Sequence, residues 1–209
     1  MKRIVVIGAS GATGRLLVDG ALARGHDVHA VVRNPGSYSH GPHAQLTVHR
    51  GDVLDPASIA AVITPQSVVV SGLGARSKSD AGVLTSGARA VLAAHPSAVV
   101  WLGAIGTGRS ATAVSRLTHS LLKAGFGAEY GDKTAADSLI QDAGHTVVHA
   151  GPLNDKAERR LSAVPLASVT HQFFPAFVSR ADVARIMLDE AENPTYRGQI
   201  LIPQRNSRP

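Results

Sequence analysis

Glycines dominate the segment that directly follows the first apolar run of the chain. After Ile4–Ile7 the sequence reads Gly8-Ala9-Ser10-Gly11-Ala12-Thr13-Gly14, and a helical pattern follows. Gly8 allows a tight turn, Gly11 allows a pyrophosphate to approach the backbone, and Gly14 lets the helix pack against the strand. Free N–H groups at the start of a helix also attract phosphate. The spacing therefore predicts a dinucleotide-binding loop.

A basic residue stands where the second predicted strand ends, in Val31-Val32-Arg33-Asn34-Pro35. A site for NAD usually has an acidic residue there to bind the ribose 2′-hydroxyl. The guanidinium of Arg33 instead suits the 2′-phosphate of NADP, although an arginine after a strand can also be simply solvated. Arg15, next to the glycine motif, is interpreted either as a further phosphate contact or as a surface residue. The sequence thus predicts NADP(H) as the cofactor.

Other kinds of site find little support in the sequence. The absence of cysteine excludes disulfides, thiolate metal ligands and a cysteine nucleophile. The histidines do not form a cluster with an assignable third ligand, so no metal site is predicted. No Gly-x-Ser-x-Gly turn precedes a helix, which argues against a serine hydrolase.

Charge and hydropathy narrow the possible partners. The net charge is +6, but the basic residues are scattered and aromatics make up only 4% of the chain, so a nucleic-acid partner is not expected. The positive charge fits an anionic small molecule instead. No apolar run approaches the ~18 residues of a membrane-spanning helix, so no membrane span is expected. We predict a cytoplasmic protein that is a monomer or a small homo-oligomer.

The elements that must position these residues alternate between strand and helix. The pattern predicts strands at Ile4–Ile7, Val28–Val32, Leu46–His49, Val68–Val70, Ala98–Leu102, Thr146–His149 and Gly198–Ile202, and helices at Thr13–Arg24, Asp55–Val62, Ala81–Ala94, Ala111–Ala124, Glu129–Ala143 and Arg180–Glu190. Continuous apolar strands alternating with helices indicate an α/β fold with a Rossmann-like doubly wound parallel sheet. We predict one domain over residues 1–209, in which residues 153–178 and the C-terminal helix shape a substrate pocket.

Several short motifs together resemble the atypical short-chain dehydrogenase/reductases of the NAD(P)H-binding, NmrA-like family, which includes the flavin reductase/biliverdin reductase B group. The resemblance extends over nearly the whole chain. Besides the glycine loop and the Arg33 segment, the motifs are Gly51-Asp52-Val53, Gly72-Leu73-Gly74, Asp132-Lys133 and Ser179-Arg180-Ala181-Asp182-Val183-Ala184.

The resemblance implies roles for residues outside the glycine loop. Asp52 and Val53 would lie against the adenine, and Gly72, Leu73 and Gly74 would line the ribose and pyrophosphate. Lys133 would reach the nicotinamide ribose, and Gly151-Pro152-Leu153 would pass beside the nicotinamide. Within the loop, Ser10, Ala12 and Thr13 complete the predicted cofactor contacts. Asp182 is expected to cap or brace its own helix.

The sequence departs from the family where alcohol dehydrogenases have their catalytic residues. Gly103 and Ala104 occupy the positions at which a serine is expected. Tyr130 precedes Lys133 by three residues rather than four, although both still share a helix face. Tyr130 and Lys133 are therefore the catalytic candidates, and for Tyr130 a proton-donating role and a packing role both remain open.

The preferred function is that of an NADPH-dependent oxidoreductase that reduces a flavin, a quinone or a similar conjugated small molecule by direct hydride transfer. Two alternatives use the same fold. One is a non-catalytic NADP-binding regulator that senses redox state, and the other is a tailoring enzyme of secondary metabolism.

Overall fold

A computed structural model describes residues 1–75, 80, 82–169, 171 and 173–205. The strands are β1 (Arg3–Ile7), β2 (Asp27–Val32), β3 (Leu46–Arg50), β4 (Val68–Ser71), β5 (Ala98–Ala104), β6 (Thr146–Ala150), β7 (Leu153–Asn154), β8 (Ser162–Pro165), β9 (Val178–Ser179) and β10 (Ile200–Gln204). The α-helices are α1 (Ala12–Ala23), α2 (Pro56–Ala60), α3 (Val83–Ala93), α4 (Arg116–Phe126), α5 (Ala128–Asp142) and α6 (Arg180–Glu192).

The main sheet has eight strands in the order β3-β2-β1-β4-β5-β6-β10-β8. Every pair in it is parallel except β10–β8, which is antiparallel at the sheet edge. The strand order reverses between β1 and β4, so the loops after these strands diverge and leave a crevice at their carboxyl ends. The predicted doubly wound, Rossmann-like α/β fold is confirmed.

Two helical layers cover the sheet. Helices α1 and α6 pack against each other on one face, whereas α3 packs against α2 and α5 on the other. Strand residues alternate between the two layers, as in β1, where Ile4 and Val6 join one core cluster and Val5 and Ile7 join the other. Burial on both faces explains why these strands are continuously apolar.

Two predicted segments differ from the structure. The helix predicted at Ala111–Ala124 is a 3-10 helix at Gly108–Ala113 followed by α4, because Val114 and Ser115 are extended and the Ser115 side chain caps α4 by accepting the Thr118 N–H. The segment from Leu153 to Pro175, for which the sequence pattern predicts no strand, contains β7 and β8. Ala81, the predicted start of α3, lies outside the described residues.

Candidate functional site

The glycine loop has the geometry expected of its three glycines. Gly8 has a φ of +74°, and a Cβ there would lie 3.0 Å from the backbone of Leu73. A Cβ at Gly14 would lie 2.1 Å from the Gly8 carbonyl oxygen, so only glycine permits this helix–strand contact. At Gly11 a Cβ would meet the Gly8 oxygen alone, at 3.3 Å. Gly8 and Gly14 thus shape the turn, whereas Gly11 leaves space above it.

The start of α1 offers hydrogen-bond donors to that space. Gly11 is the N-cap and has no side chain to accept from the first turn. The first backbone bond of the helix is made by the Arg15 N–H to the Gly11 carbonyl, at 2.9 Å. The preceding N–H groups, at Ala12, Thr13 and Gly14, lack an acceptor within the helix, and the helix dipole adds positive potential there. This arrangement binds phosphate well.

A first cavity lies at the carboxyl ends of β1 to β4. The sequence-predicted residues that line it are Gly8, Ser10, Gly11, Arg33, Asp52, Val53, Gly72, Leu73 and Gly74. The Asp52 Oδ1 atom accepts the Leu54 N–H at 3.0 Å, and its other carboxylate oxygen has no hydrogen bond to the described residues. An amino group of a bound base could donate to that oxygen.

Arg33 and Arg15 have different surroundings although the sequence predicted both near phosphate. Arg33 is exposed, lines the first cavity and forms no hydrogen bond or ion pair within the described part of the chain. Arg15 lies outside this cavity. Its guanidinium is 5.3 Å from the centre of the Tyr38 ring and donates to the Ser39 carbonyl at 2.9 Å. These contacts hold the loop after β2 and favour the surface interpretation of Arg15 over the phosphate contact.

Tyr38 has an unusual environment as the partner of Arg15. Its side chain is buried, and its hydroxyl lacks a hydrogen-bond partner among the described residues. Burial raises the pKa of Tyr38, an effect that the Arg15 charge partly offsets. The arginine–tyrosine contact thus belongs to the packing of this loop.

A second cavity, of about 670 Å³, adjoins the first and shares Gly11 and Gly72–Gly74 with it. The predicted residues Ala12, Thr13, Lys133 and Gly151–Leu153 line it. Sequence reasoning missed the lining residues Leu102, Ile105, Leu122 and Phe126. Pro175 and Arg180, which also line the cavity, were not singled out but lie in the segments expected to shape a substrate pocket. The two cavities together form a continuous site that crosses the start of α1.

Two adjacent residues on α5 have different roles: Asp132 connects α5 to α3, and Lys133 brings a positive charge to the second cavity. The Asp132 carboxylate caps α3 by accepting the N–H groups of Leu84 and Thr85 at 3.0 and 2.9 Å. Lys133 points to the second cavity, with its Nζ atom 3.9 Å from Glu129 Oε2 and 5.4 Å from the centre of the Phe126 ring. The motif Asp132-Lys133 therefore joins an anchoring carboxylate to a positioned ammonium group.

Tyr130, the other catalytic candidate, does not line either cavity. Its hydroxyl lies 2.8 Å from His119 Nε2 and donates to the Gly106 carbonyl at 3.3 Å. These bonds join α5 to α4 and to the turn after β5. The structure thus brings Lys133, but not Tyr130, to the second cavity.

A buried polar group explains the glycine at the expected serine position. His149 is fully buried, and its Nδ1 atom lies 2.6 Å from Ser110 Oγ. Its Nε2 atom lies 2.9 Å from Asp137 Oδ2, as a close contact rather than an aligned hydrogen bond. A Cβ at Gly103 would lie 2.6 Å from the His149 ring and 2.8 Å from both Asp137 oxygens. The pair fills the space that a serine would need.

Asp182 stabilises the start of its own helix, as predicted, and also binds the loop at residues 159–161. It is fully buried and accepts the Ser179 hydroxyl at 2.6 Å and the N–H groups of Arg159 and Leu161, each at 2.9 Å. Burial by itself would raise its pKa. These hydrogen bonds, helped by the charge of Arg185, nevertheless hold the pKa of Asp182 below its ordinary value.

A third cavity, of about 740 Å³, continues from the second and shares Ile105, Gly151 and Pro175 with it. Phe173, Phe174 and Phe177 line it and are 57–63% exposed. A Cβ at Gly151 would lie 2.1 Å from the Ala176 carbonyl oxygen, so this glycine lets the 175–176 segment pass close to the chain directly after β6. The exposed Phe173-Phe174 pair lies in the 153–178 segment that the sequence analysis expects to shape a substrate pocket.

Strand order, glycine loop and cavities define a dinucleotide-binding Rossmann protein. A family model described as NAD(P)H-binding matches residues 8–194, and the chain belongs to this family. The resemblance to atypical short-chain dehydrogenase/reductases is confirmed, and a nicotinamide dinucleotide is the cofactor class. Among the described residues, no helix is long and apolar enough to cross a membrane.

Solved structures show the same fold. The anaerobilin reductase ChuY from Escherichia coli O157:H7 is 24% identical, with a TM-score of 0.77 over 100% of this chain and 99% of that one. A short-chain dehydrogenase/reductase from Veillonella parvula DSM 2008 in complex with NADP is 16% identical, with a TM-score of 0.80 over 99% of this chain and 95% of that one. The oxidoreductase ylbE from Lactococcus lactis is 15% identical, with a TM-score of 0.79 over 98% and 91%.

Proposed function

We propose that this chain is an NADP(H)-dependent reductase that transfers hydride to a flavin, a quinone or a similar conjugated small molecule. The observation on which this rests is the second cavity, which is continuous with the glycine-loop cavity and mostly apolar. Its volume of about 670 Å³ leaves room for an acceptor beside a nicotinamide ring. A protein that only sensed the cofactor would not need this additional space.

The residues fit NADP(H) at both ends. Gly11 leaves open space above the turn, and the α1 N-terminus there would hold the pyrophosphate. Arg33, which is exposed and unpaired among described residues, would take the 2′-phosphate. Lys133 would hold the nicotinamide ribose, with Gly151–Leu153 beside the nicotinamide. When bound, NADPH supplies the hydride.

The polar groups of the second cavity favour a delocalised acceptor over an alcohol or simple carbonyl. Thr13, at the start of α1, supplies the only side-chain hydroxyl among the described residues that line it, and Tyr130 lies outside. A conjugated acceptor spreads the incoming charge, so positioning contributes most of the rate enhancement and water can supply the proton. The likeness to an anaerobilin reductase supports this reductase assignment.

The decisive experiment follows NADPH oxidation with a panel of flavins, quinones and simple carbonyl compounds. We expect turnover with at least one flavin or quinone and negligible turnover with the carbonyls. The variant Gly11→Val, in which the added side chain would occupy the pyrophosphate space, is the inactive control. Tight NADPH binding without oxidation by any acceptor would instead support the regulator.

A further inference from the structure

Arg180 brings a second positive charge to the acceptor side of the site. It is the first residue of α6, and it lines the second cavity together with Lys133. Among the described residues that line this cavity, none is acidic. The resulting positive potential in a mostly apolar cavity favours an anionic ligand group.

The ion pair made by Arg180 leaves most of its donors unused. Its NH1 group donates to Asp155 Oδ1 at 2.7 Å, and this is its single hydrogen bond to described side chains. A guanidinium has five N–H donors in a planar fork that matches carboxylate or phosphate oxygens. The Arg180 side chain is 25% exposed, and none of its nitrogen atoms is buried without a hydrogen-bond partner among the described residues, so a ligand in the cavity can reach the remaining donors.

Asp155 is a partner that a ligand can replace. Its side chain is 81% exposed. Because Asp155 is so accessible to water, its ion pair with Arg180 contributes much less than a desolvated arginine–anion contact would. A competing anion in the cavity can therefore take the place of Asp155 at modest cost.

The backbone that bears Arg180 is firmly held. Strand β9, which ends at Ser179, pairs with β7: Val178 lies opposite Leu153, and Ser179 lies opposite Asn154. The Ser179 hydroxyl caps α6 by accepting the Asp182 N–H at 3.0 Å. Arg180 thus extends from a fixed helix start, whereas its partner Asp155 is much more exposed. A guanidinium positioned in this way can recognise a charged ligand group selectively.

We propose that Arg180 is a specificity-determining residue that binds a carboxylate, sulfonate or phosphate group of the acceptor, and that this group displaces Asp155. The inference rests on the proposed reductase function. It assigns the acceptor to conjugated molecules with an acidic substituent. The cofactor phosphates have other partners in the α1 N-terminus and Arg33, so Arg180 remains available to the acceptor.

Two matched pairs of acceptors test this assignment. Riboflavin and FMN share one ring system and differ by a phosphate, and 1,4-naphthoquinone and its 2-sulfonate differ by a sulfonate. The readout is the ratio of kcat/KM for the charged member over the neutral member. Because charge-assisted hydrogen bonds contribute about 1.5–3 kcal/mol, Arg180→Gln should lower this ratio about 10- to 100-fold in at least one pair.

Three variants sharpen the result. Arg180→Lys keeps the charge without the planar fork and should lower the ratio less than Arg180→Gln does. Asp155→Asn removes the competing carboxylate and should raise the ratio a few fold. Arg109→Gln is the control variant. Arg109 also pairs with an aspartate, Asp142, at 3.1 Å, but it lies outside the three cavities, so its replacement should leave the ratio unchanged.

Binding without turnover separates this inference from the proposed function. Quenching of flavin fluorescence by the NADP⁺-loaded protein gives Kd values for FMN and riboflavin directly. If no acceptor is reduced but Arg180→Gln selectively weakens FMN binding, the anion subsite stands and the reductase proposal fails. If acceptors are reduced with an unchanged charged-to-neutral ratio, or if Arg180→Gln chiefly weakens NADPH binding, the subsite is wrong. Failure of both FMN and the sulfonate to bind or react would also contradict it.

Discussion

The cofactor side of the site is formed mainly by backbone turns, whereas the acceptor side is formed mainly by side chains. The first cavity is lined largely by backbone and glycine from short segments that directly follow β1 to β4. The second and third cavities depend on side chains from α4, α5, α6 and the 173–178 segment, which are distant in sequence. A site made of local backbone turns can be recognised from local motifs. A site made of converging side chains depends on the tertiary arrangement and varies with each substitution.

The largest expected effect lies on the cofactor side. Gly11→Val should weaken NADPH binding by at least about 100-fold, because its side chain occupies the space where the pyrophosphate approaches the backbone. The backbone at Gly11, with φ −75° and ψ 164°, accepts any L-residue, so the domain should stay folded. Isothermal titration together with circular dichroism measures both properties.

Gly14→Ala provides the contrast to Gly11→Val. Its Cβ would lie 2.1 Å from the Gly8 carbonyl, so its main effect should be on thermal stability. If the folded Gly11→Val protein retained NADPH affinity, the loop would be only a structural turn.

Arg33→Ala should have the next largest effect. Loss of a charge-assisted phosphate contact of about 1.5–3 kcal/mol corresponds to about 10- to 100-fold weaker NADPH binding. NADH lacks the 2′-phosphate, so its affinity should hardly change. Arg15→Ala is the matched control, since it removes a nearby arginine that contacts Tyr38 instead. An equal loss for NADPH and NADH in Arg33→Ala would exclude the proposed phosphate contact.

Gly103→Ser tests whether the acceptor side can accommodate the serine of the wider family. Its Cβ would lie within 2.8 Å of Asp137 and His149, so the variant should lose about 1–3 kcal/mol in the free energy of unfolding, as overpacked cores do. Denaturant titration measures the change. Ala104→Ser is the control at the neighbouring position. Because Ala104 already has a Cβ, this variant should change stability much less. Unaltered stability of Gly103→Ser would mean that the buried pair readily moves aside.

The smallest expected effect is that of Tyr130→Phe on catalysis. General acid catalysis typically contributes 10²–10⁴-fold, whereas a tyrosine bonded to His119 outside the cavity should change kcat by less than about tenfold. Lys133→Ala should chiefly weaken cofactor binding. Steady-state kinetics with the best acceptor separates the two variants. A thousandfold fall in kcat for Tyr130→Phe, with cofactor still bound, would assign it the proton-donating role.

The sequence was sufficient to predict what depends on short-range chemistry. The sheet, the glycine loop and the position of Arg33 followed from apolar periodicity, glycine spacing and the end of a strand. The Ser179 cap of α6 is of the same kind, because a serine directly before a predicted helix start is typical of a cap and depends only on residues a few positions apart. Each of these features is decided within one or two neighbouring elements.

The remainder needed the folded chain. Strand β8 was missed because its stretch contains prolines and because it pairs antiparallel with β10, which follows only after helix α6. The position of the Tyr130 hydroxyl outside the cavity depends on its contact with His119, which is eleven residues away on another helix. Arg180 is the first residue of the helix that the sequence predicts to shape a pocket, but the position of its side chain at the cavity depends on the pairing of β7 with β9.

The buried pair below Gly103 also restricts how this chain could change its chemistry over generations. A serine at that position meets His149 and Asp137 before it can meet a substrate. Removing Asp137 first would take away the carboxylate that lies 2.9 Å from His149 Nε2 and 3.2 Å from the Thr107 hydroxyl. His149 Nε2 would then be buried with no acceptor nearby, which is unfavourable, although Ser110 Oγ would still contact Nδ1 and the Ala104 carbonyl would still accept the Thr107 hydroxyl. Either single step is therefore unfavourable, and a serine at this position needs space from both residues. Alcohol dehydrogenase chemistry is thus separated from this sequence by an epistatic barrier, even though the fold is shared.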